Sequence, residues 1–186
     1  LGADEFPVTN GNLTPSSPAL NSAHGAAFRG SDLLVVDSWN NTVRRFQPDA
    51  AGVFVEQLPV ITSGLSGTLA RYVAVNPSTQ EVFVGLAGSN NKIFRYLISG
   101  GGVITSNGVI TGNSLNNPHG IAFSPWGEMF VANFDGHSVS RFTFDTGGAA
   151  VANGTITGND LASPLDLEFS PWGELFVGNN GAAKVS

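Results

Sequence analysis

The sequence predicts an all-β fold, a β-propeller of about four four-stranded blades, and three observations carry that prediction. First, a motif recurs with a period near 47 residues: Phe46, Phe94 and Phe142 are spaced 94 − 46 = 48 and 142 − 94 = 48, and Trp126 to Trp172 is 172 − 126 = 46. Second, each copy is built from short runs rich in Val and Phe, "LLVVD", "EVFVG", "EMFVAN" and "ELFVGN", bounded by Gly, Asn, Asp and Pro as strands are. Third, no stretch of a dozen residues keeps a helical apolar stripe. A period of this size belongs to propeller blades or to helical repeats, and the strand-like local pattern selects the blades.

The repeats follow one another along the chain. "AHGAAFRGSDLLVVDSWNNTVRRF" opens the first and "RYVAVNPSTQEVFVGLAGSNNKIFRY" the second. "PHGIAFSPWGEMFVANFDGHSVSRF" opens the third and "PLDLEFSPWGELFVGNNGAAKVS" the fourth. Each reads as strand, turn, strand, Asn/Gly turn, strand, then a longer link to a fourth strand such as "VFVEQLPVIT" or "VITSNGVITG". In "SPWGE" the proline presets φ and the glycine takes a conformation other residues resist, so a tight turn is expected. The blades fall at approximately 17–63, 64–112, 113–158 and 159–186, within a single domain over 1–186.

The fourth unit stops inside its third strand, at "KVS", while the opening "EFPVTNG" resembles "QLPVITSG" in a fourth-strand position. Residues 1–16 are therefore expected to complete the last blade, a clasp that would hide sheet edges. Three arrangements are compatible with four repeats: a closed four-blade ring, half of an eight-blade ring completed by a second copy as a homodimer, or a fragment of a longer propeller.

Composition narrows the partners. Hydrophobic residues make up 41% and charged residues 12%, enough apolar chain for a real core. The net charge of −6 and the lack of a basic stripe argue against nucleic acid or an anionic membrane. Without cysteine there are no disulfides and no thiolate metal ligands. No apolar run reaches the roughly 18 residues of a membrane span. The start "LGADEF" suits a processed or trimmed product, and the low charge suits an extracellular or periplasmic protein.

"NPHGIAFSPWGEMFVANFDGHSVSRF" resembles the NHL repeat, whose form runs P-x-G-hydrophobic-A, D-G, a strand ending in V-A-D/N, and a third strand ending near R-hydrophobic-x-F. "LLVVDSWNNTVRRF" matches the second half of the pattern. The similarity covers essentially the whole chain and extends to the superfamily of virginiamycin B lyase, gluconolactonase-like enzymes and peptidylglycine amidating lyase. It implies the propeller; it does not imply one activity, because the motif describes blade geometry.

The position opening each innermost strand holds His24, Arg71, His119 and Leu165, and blade symmetry would bring these side chains together around the central channel. The resemblance implies that histidines in such "P-H-G" contexts serve as metal ligands or proton donors, so His24 and His119 are candidates for both. Imidazoles on an axis can hold Zn²⁺, and the carboxylate of Glu168 could add an oxygen ligand for a harder ion such as Ca²⁺ or act as a base. Glu168 stands where the other repeats carry Ala27, Ala74 and Ala122. Arg71 lies between the histidines, would repel a cation, and could instead anchor a carboxylate or phosphate, or pair with Asp166.

At the second-strand ends, Asp37, Asn133 and Asn179 are expected to hydrogen-bond the turn that follows. Trp126 and Trp172 at the "SPWG" tips and Trp39 in "DSWNN" could stack on a glycan or anchor a protein, or fold over the neighbouring blade. Asn12, Asn40 and Asn153 sit in glycosylation sequons, and His137 decorates a turn. Two functions follow. One is a non-catalytic binding or scaffolding module that takes a small molecule, glycan or protein through the channel mouth or the blade tips. The alternative is a metal-assisted hydrolase or lyase.

Overall fold

A computed structural model of the chain describes residue 13 and residues 18–66, 69–158, 160–181 and 185. The expected strand "EFPVTNG", the completion of the last blade by residues 1–16 and the sequon at Asn12 all lie outside the described residues.

The first blade is the antiparallel meander β1 (Ala23–Arg29), β2 (Asp32–Asp37), β3 (Thr42–Pro48) and β4 (Phe54–Ile61). The second is β5 (Leu69–Val75), β6 (Val82–Ala87), β7 (Lys92–Ile98) and β8 (Ile104–Ile110), with a single 3₁₀ turn at Gly88–Asn90. The third is β9 (Pro118–Phe123), β10 (Met129–Asn133), β11 (Ser138–Phe144) and β12 (Ala150–Thr157). Of the fourth, β13 (Pro164–Phe169) and β14 (Leu175–Asn179) are described, with an isolated antiparallel bridge between Gly178 and Val185. Four sheets make four blades of a propeller. The "SPWG" turns close as the sequence requires, with Gly127 and Gly173 at φ of 89° and 92°.

The core lies between blades because each sheet buries both faces. Leu34, Val36 and Val43 of the first blade pack on Val73, Val82 and Tyr96 of the second. Phe83 and Ile93 meet Met129, Val131 and Phe142 of the third, whose Phe130 and Val139 meet Leu167 and Val177 of the fourth. A buried ion pair repeats inside the blades. Arg45 lies 3.9 Å from Asp32, Arg95 2.8 Å from Glu81 and Arg141 2.9 Å from Glu128. Arg95 also reaches across to the third blade, donating to the Gly148 carbonyl at 2.6 Å. Pairing satisfies charges that burial would otherwise penalise heavily.

Asp37 bonds the following turn as expected, its Oδ2 accepting from the Asn40 amide at 2.8 Å, and Asn133 donates to Ser138 Oγ at the far end of its own turn. The Asx residues at the second-strand ends also tie down the segment entering each blade: Asp37 accepts from the backbone N–H of Asn21, Asn133 from Asn116 and Asn179 from Ala162. One expectation is corrected. His137 does more than decorate a turn, since its Nδ1 accepts from the Ser163 N–H at 2.8 Å and links the third blade to the fourth. Phe28 in the first blade and Phe176 in the fourth are 62% and 46% exposed.

Candidate functional site

The four innermost strands, β1, β5, β9 and β13, line one cavity of about 380 Å³. Each carries the same irregularity near its start. Cα pairing skips between Ala23 and Ala26, Ala70 and Tyr72, Pro118 and Ile121, and Pro164 and Asp166. One extra residue per strand re-aims the local side chain, as β-bulges do. The residues in those bulges include His24, Arg71, His119 and Leu165.

Backbone closeness sets the spacing. A Cβ on Gly25 would lie 2.9 Å from the Tyr72 Cα, and one on Gly120 would lie 2.7 Å from the Asp166 Cα. Only glycine permits these approaches. That is why His-Gly recurs, and why neighbouring inner strands bring their bulges close together.

His24 and Arg71 meet directly: the Arg71 Nη1 donates to the His24 Nε2 at 2.9 Å. A guanidinium has no acceptor, so that nitrogen must carry a lone pair and His24 is neutral in this contact. Ser22 Oγ approaches the same nitrogen at 3.1 Å. Burial, reinforced by the Arg71 charge, pushes the His24 imidazole below its ordinary value. The expected pairing of Arg71 with Asp166 is not formed, and Arg71 makes no ion pair among the described residues; its Nε is buried without a hydrogen-bond partner. Asp166 is exposed and its Oδ1 accepts from the Leu167 N–H.

His119 is half-buried between two rings, Tyr72 at 5.4 Å and Phe134 at 5.0 Å with 24° between the planes. Its Nδ1 is buried and unpartnered. Among the described residues neither histidine bonds a loop carbonyl, the plain structural role open to it. Desolvation first, then Arg71, lowers the His119 pKa, against a smaller upward pull from Asp135. Both imidazoles are therefore held neutral, and the permanent positive charge at this rim is Arg71.

The His24 lone pair is spent on the guanidinium, which would itself repel a divalent metal ion, and no group of three metal-ligating side chains occurs among the described residues. Glu168 lines the cavity two residues beyond Asp166, exposed to its water. That exposure explains how a carboxylate replaces alanine without a buried partner.

The tryptophans divide. Trp39 and Trp172 are 73% and 74% exposed. Trp126, 61% exposed, leans on the fourth blade edge-on to Phe169 at 5.6 Å. The indole N–H groups of Trp126 and Trp172 donate to Glu128 and Glu174 of their own turns. Sequence reasoning passed over Tyr72 and Phe134. The signal for Tyr72 was present: it stands where two other repeats carry Gly25 and Gly120. Phe134 follows the third repeat's strand end with nothing periodic to mark it.

No family model and no curated protein matches the chain. Solved structures do. A functionally unknown protein from Desulfotomaculum acetoxidans matches with TM-score 0.69 at 24% identity, over 88% of this chain and 53% of that one. A catalytically inactive virginiamycin B lyase from Staphylococcus aureus with quinupristin matches with TM-score 0.66 at 15% identity, over 94% and 58%. A periplasmic gluconolactonase from Pseudomonas aeruginosa matches with TM-score 0.66 at 17% identity, over 81% and 43%. At such identities these likenesses establish the propeller fold alone. The chain spans about half the length of the structures it matches.

Proposed function

We propose that the chain is a non-catalytic binding module whose channel rim takes a small anion, a carboxylate or phosphate, on Arg71. One observation carries the reading: a guanidinium at the inner strands with no acid partner among the described residues and a buried, unpartnered Nε. Such a group gains two charge-assisted hydrogen bonds from a planar or tetrahedral oxyanion. Tyr72 and Phe134 supply apolar walls beside it, and His119 offers an unspent Nδ1.

Calorimetric titration with citrate and with inorganic phosphate, against glucose as a neutral control, tests the reading. Binding of an anion by the native chain, weakened at least tenfold in Arg71→Met, is expected; tenfold corresponds to about 1.4 kcal/mol. Anion affinity equal in that variant would overturn it. The second reading, a metal-assisted hydrolase or lyase, draws on Glu168 in the cavity and on the lyase and gluconolactonase among the similar structures. Metal bound by native protein and lost in His119→Ala would favour it. An extracellular or periplasmic location suits the low charge and the absence of cysteine, and no described helix is long and apolar enough to cross a membrane.

A further inference from the structure

We propose that the anion at the channel rim carries its own cation: the site takes a small zwitterion, an α-amino acid or a longer amino carboxylate. Its carboxylate lies on Arg71 and its ammonium group between Asp166 and Asp135. This rests on Arg71 as the anion's partner and narrows what that anion is.

His119 marks the centre of the arrangement. Tyr72, directly after Arg71 on β5, lies against it with ring centroids 5.4 Å apart. The two carboxylates come in on its flanks. On β13, the Asp166 Oδ1 would stand 2.8 Å from a Cβ on Gly120, the residue after His119. In the turn after β10, the Asp135 Oδ2 accepts from the Asn117 side-chain amide at 3.0 Å, two residues before His119. Phe134, beside Asp135, stacks on the imidazole itself. Three blades therefore converge on one ring, the second bringing a cation and the third and fourth a carboxylate each.

Those carboxylates are uncommitted. Asp135 and Asp166 are exposed, and neither joins an ion pair among the described residues. Asp166 spends one oxygen on the Leu167 N–H and Asp135 one on Asn117, which leaves each a second oxygen. Tyr72 and Asp166 line the same cavity. Burial first, then the Asp166 charge, raises the Tyr72 hydroxyl above its ordinary range, while Arg71 pulls it down, so this side chain feels both signs.

Charge decides the ligand class. With both imidazoles neutral, Arg71 against Asp135 and Asp166 leaves the rim with a negative excess. A bare anion on Arg71 would deepen that excess and face two unmatched carboxylates, and like charges brought together in a recognition site are penalised. A zwitterion leaves the sum unchanged and gives the carboxylates a partner. Arg71 and Asp166 do not pair directly, so a molecule carrying both signs can bridge them.

Calorimetric titration with L-alanine and γ-aminobutyrate, each against the plain acid of the same length, propionate and butyrate, tests the proposal. At least one zwitterion is expected to bind tenfold or more tightly than its acid. Equal affinity in both pairs would overturn the zwitterion and leave the Arg71 anion site standing. No binding of zwitterion, acid, citrate or phosphate would overturn both. Ethylammonium bound as tightly as alanine would show that the cation alone is recognised, and would likewise end the proposal. The double variant Asp135→Asn, Asp166→Asn keeps an oxygen for the Asn117 and Leu167 donors and should bring zwitterion and acid to the same affinity. A preference that survives in that variant, with far-ultraviolet circular dichroism unchanged, would remove the two carboxylates from the site.

Discussion

The junction between the first and second blades and the junction between the second and third are built from the same repeat and behave differently. At the first, Gly25 lets the inner strands touch and His24 bonds Arg71. At the second, Tyr72 occupies the glycine position, props the strands with an aromatic ring and stacks His119 against it. One side chain thus converts a tight backbone seam into one wall of a candidate binding site. The third junction returns to the tight form through Gly120. Geometry repeated every blade supplies the frame, and the exceptions to it supply the chemistry.

If the Tyr72 junction lacks a glycine seam, it should lean hardest on the arginine that crosses it. Arg95→Met removes the donor to Gly148 and leaves Glu81 buried with only Asn107 beside it. A loss of about 3–5 kcal/mol in urea unfolding is expected; a loss no greater than that of an exposed substitution would show that packing alone holds this junction. The glycine seams come next. Gly120→Ala forces a methyl group to 2.7 Å from the Asp166 Cα, and the expected loss is about 1–3 kcal/mol by the same measurement. Gly25→Ala should follow it closely.

A smaller effect separates a filled face from an open one. Trp126→Ala loses its edge contact with Phe169, at about 1 kcal/mol, whereas Trp172→Ala, at a side chain 74% exposed, should change stability very little. Equal losses would mean that Trp172 is supported within its own blade. Least in size is the pH response. Because burial and Arg71 hold His119 below its ordinary 6.5, the unfolded chain takes up the proton first as pH falls through that value. The native protein should therefore lose stability on acidification below 6.5, and His119→Gln should flatten that limb. An identical profile in the variant would assign the acid sensitivity to other groups, His24 foremost among them.

Much of this was legible in the residues. The Val- and Phe-rich runs became β2, β6, β10 and β14, and the "SPWG" segments became the turns before two of them. The equivalence of His24, Arg71, His119 and Leu165 could be read because a bulge recurs at that point in every inner strand. The partners of these residues could not be read. Whether Arg71 chose Asp166 or His24 depended on distances between strands 47 residues apart, and Asp37, Asn133 and Asn179 reach back to the entering segment, contacts that lie 16 or 17 residues away in sequence.

By itself the sequence determined the blades, since alternation, turn chemistry and period are local properties that each repeat states independently. Only the tertiary structure decided that Arg71 has no acid partner among the described residues, that His119 sits between two rings, and that Phe28 and Phe176 are exposed. Those outcomes depend on the rotation from one blade to the next. That angle is set by side-chain volumes packed between sheets, a sum over distant residues that no single repeat contains.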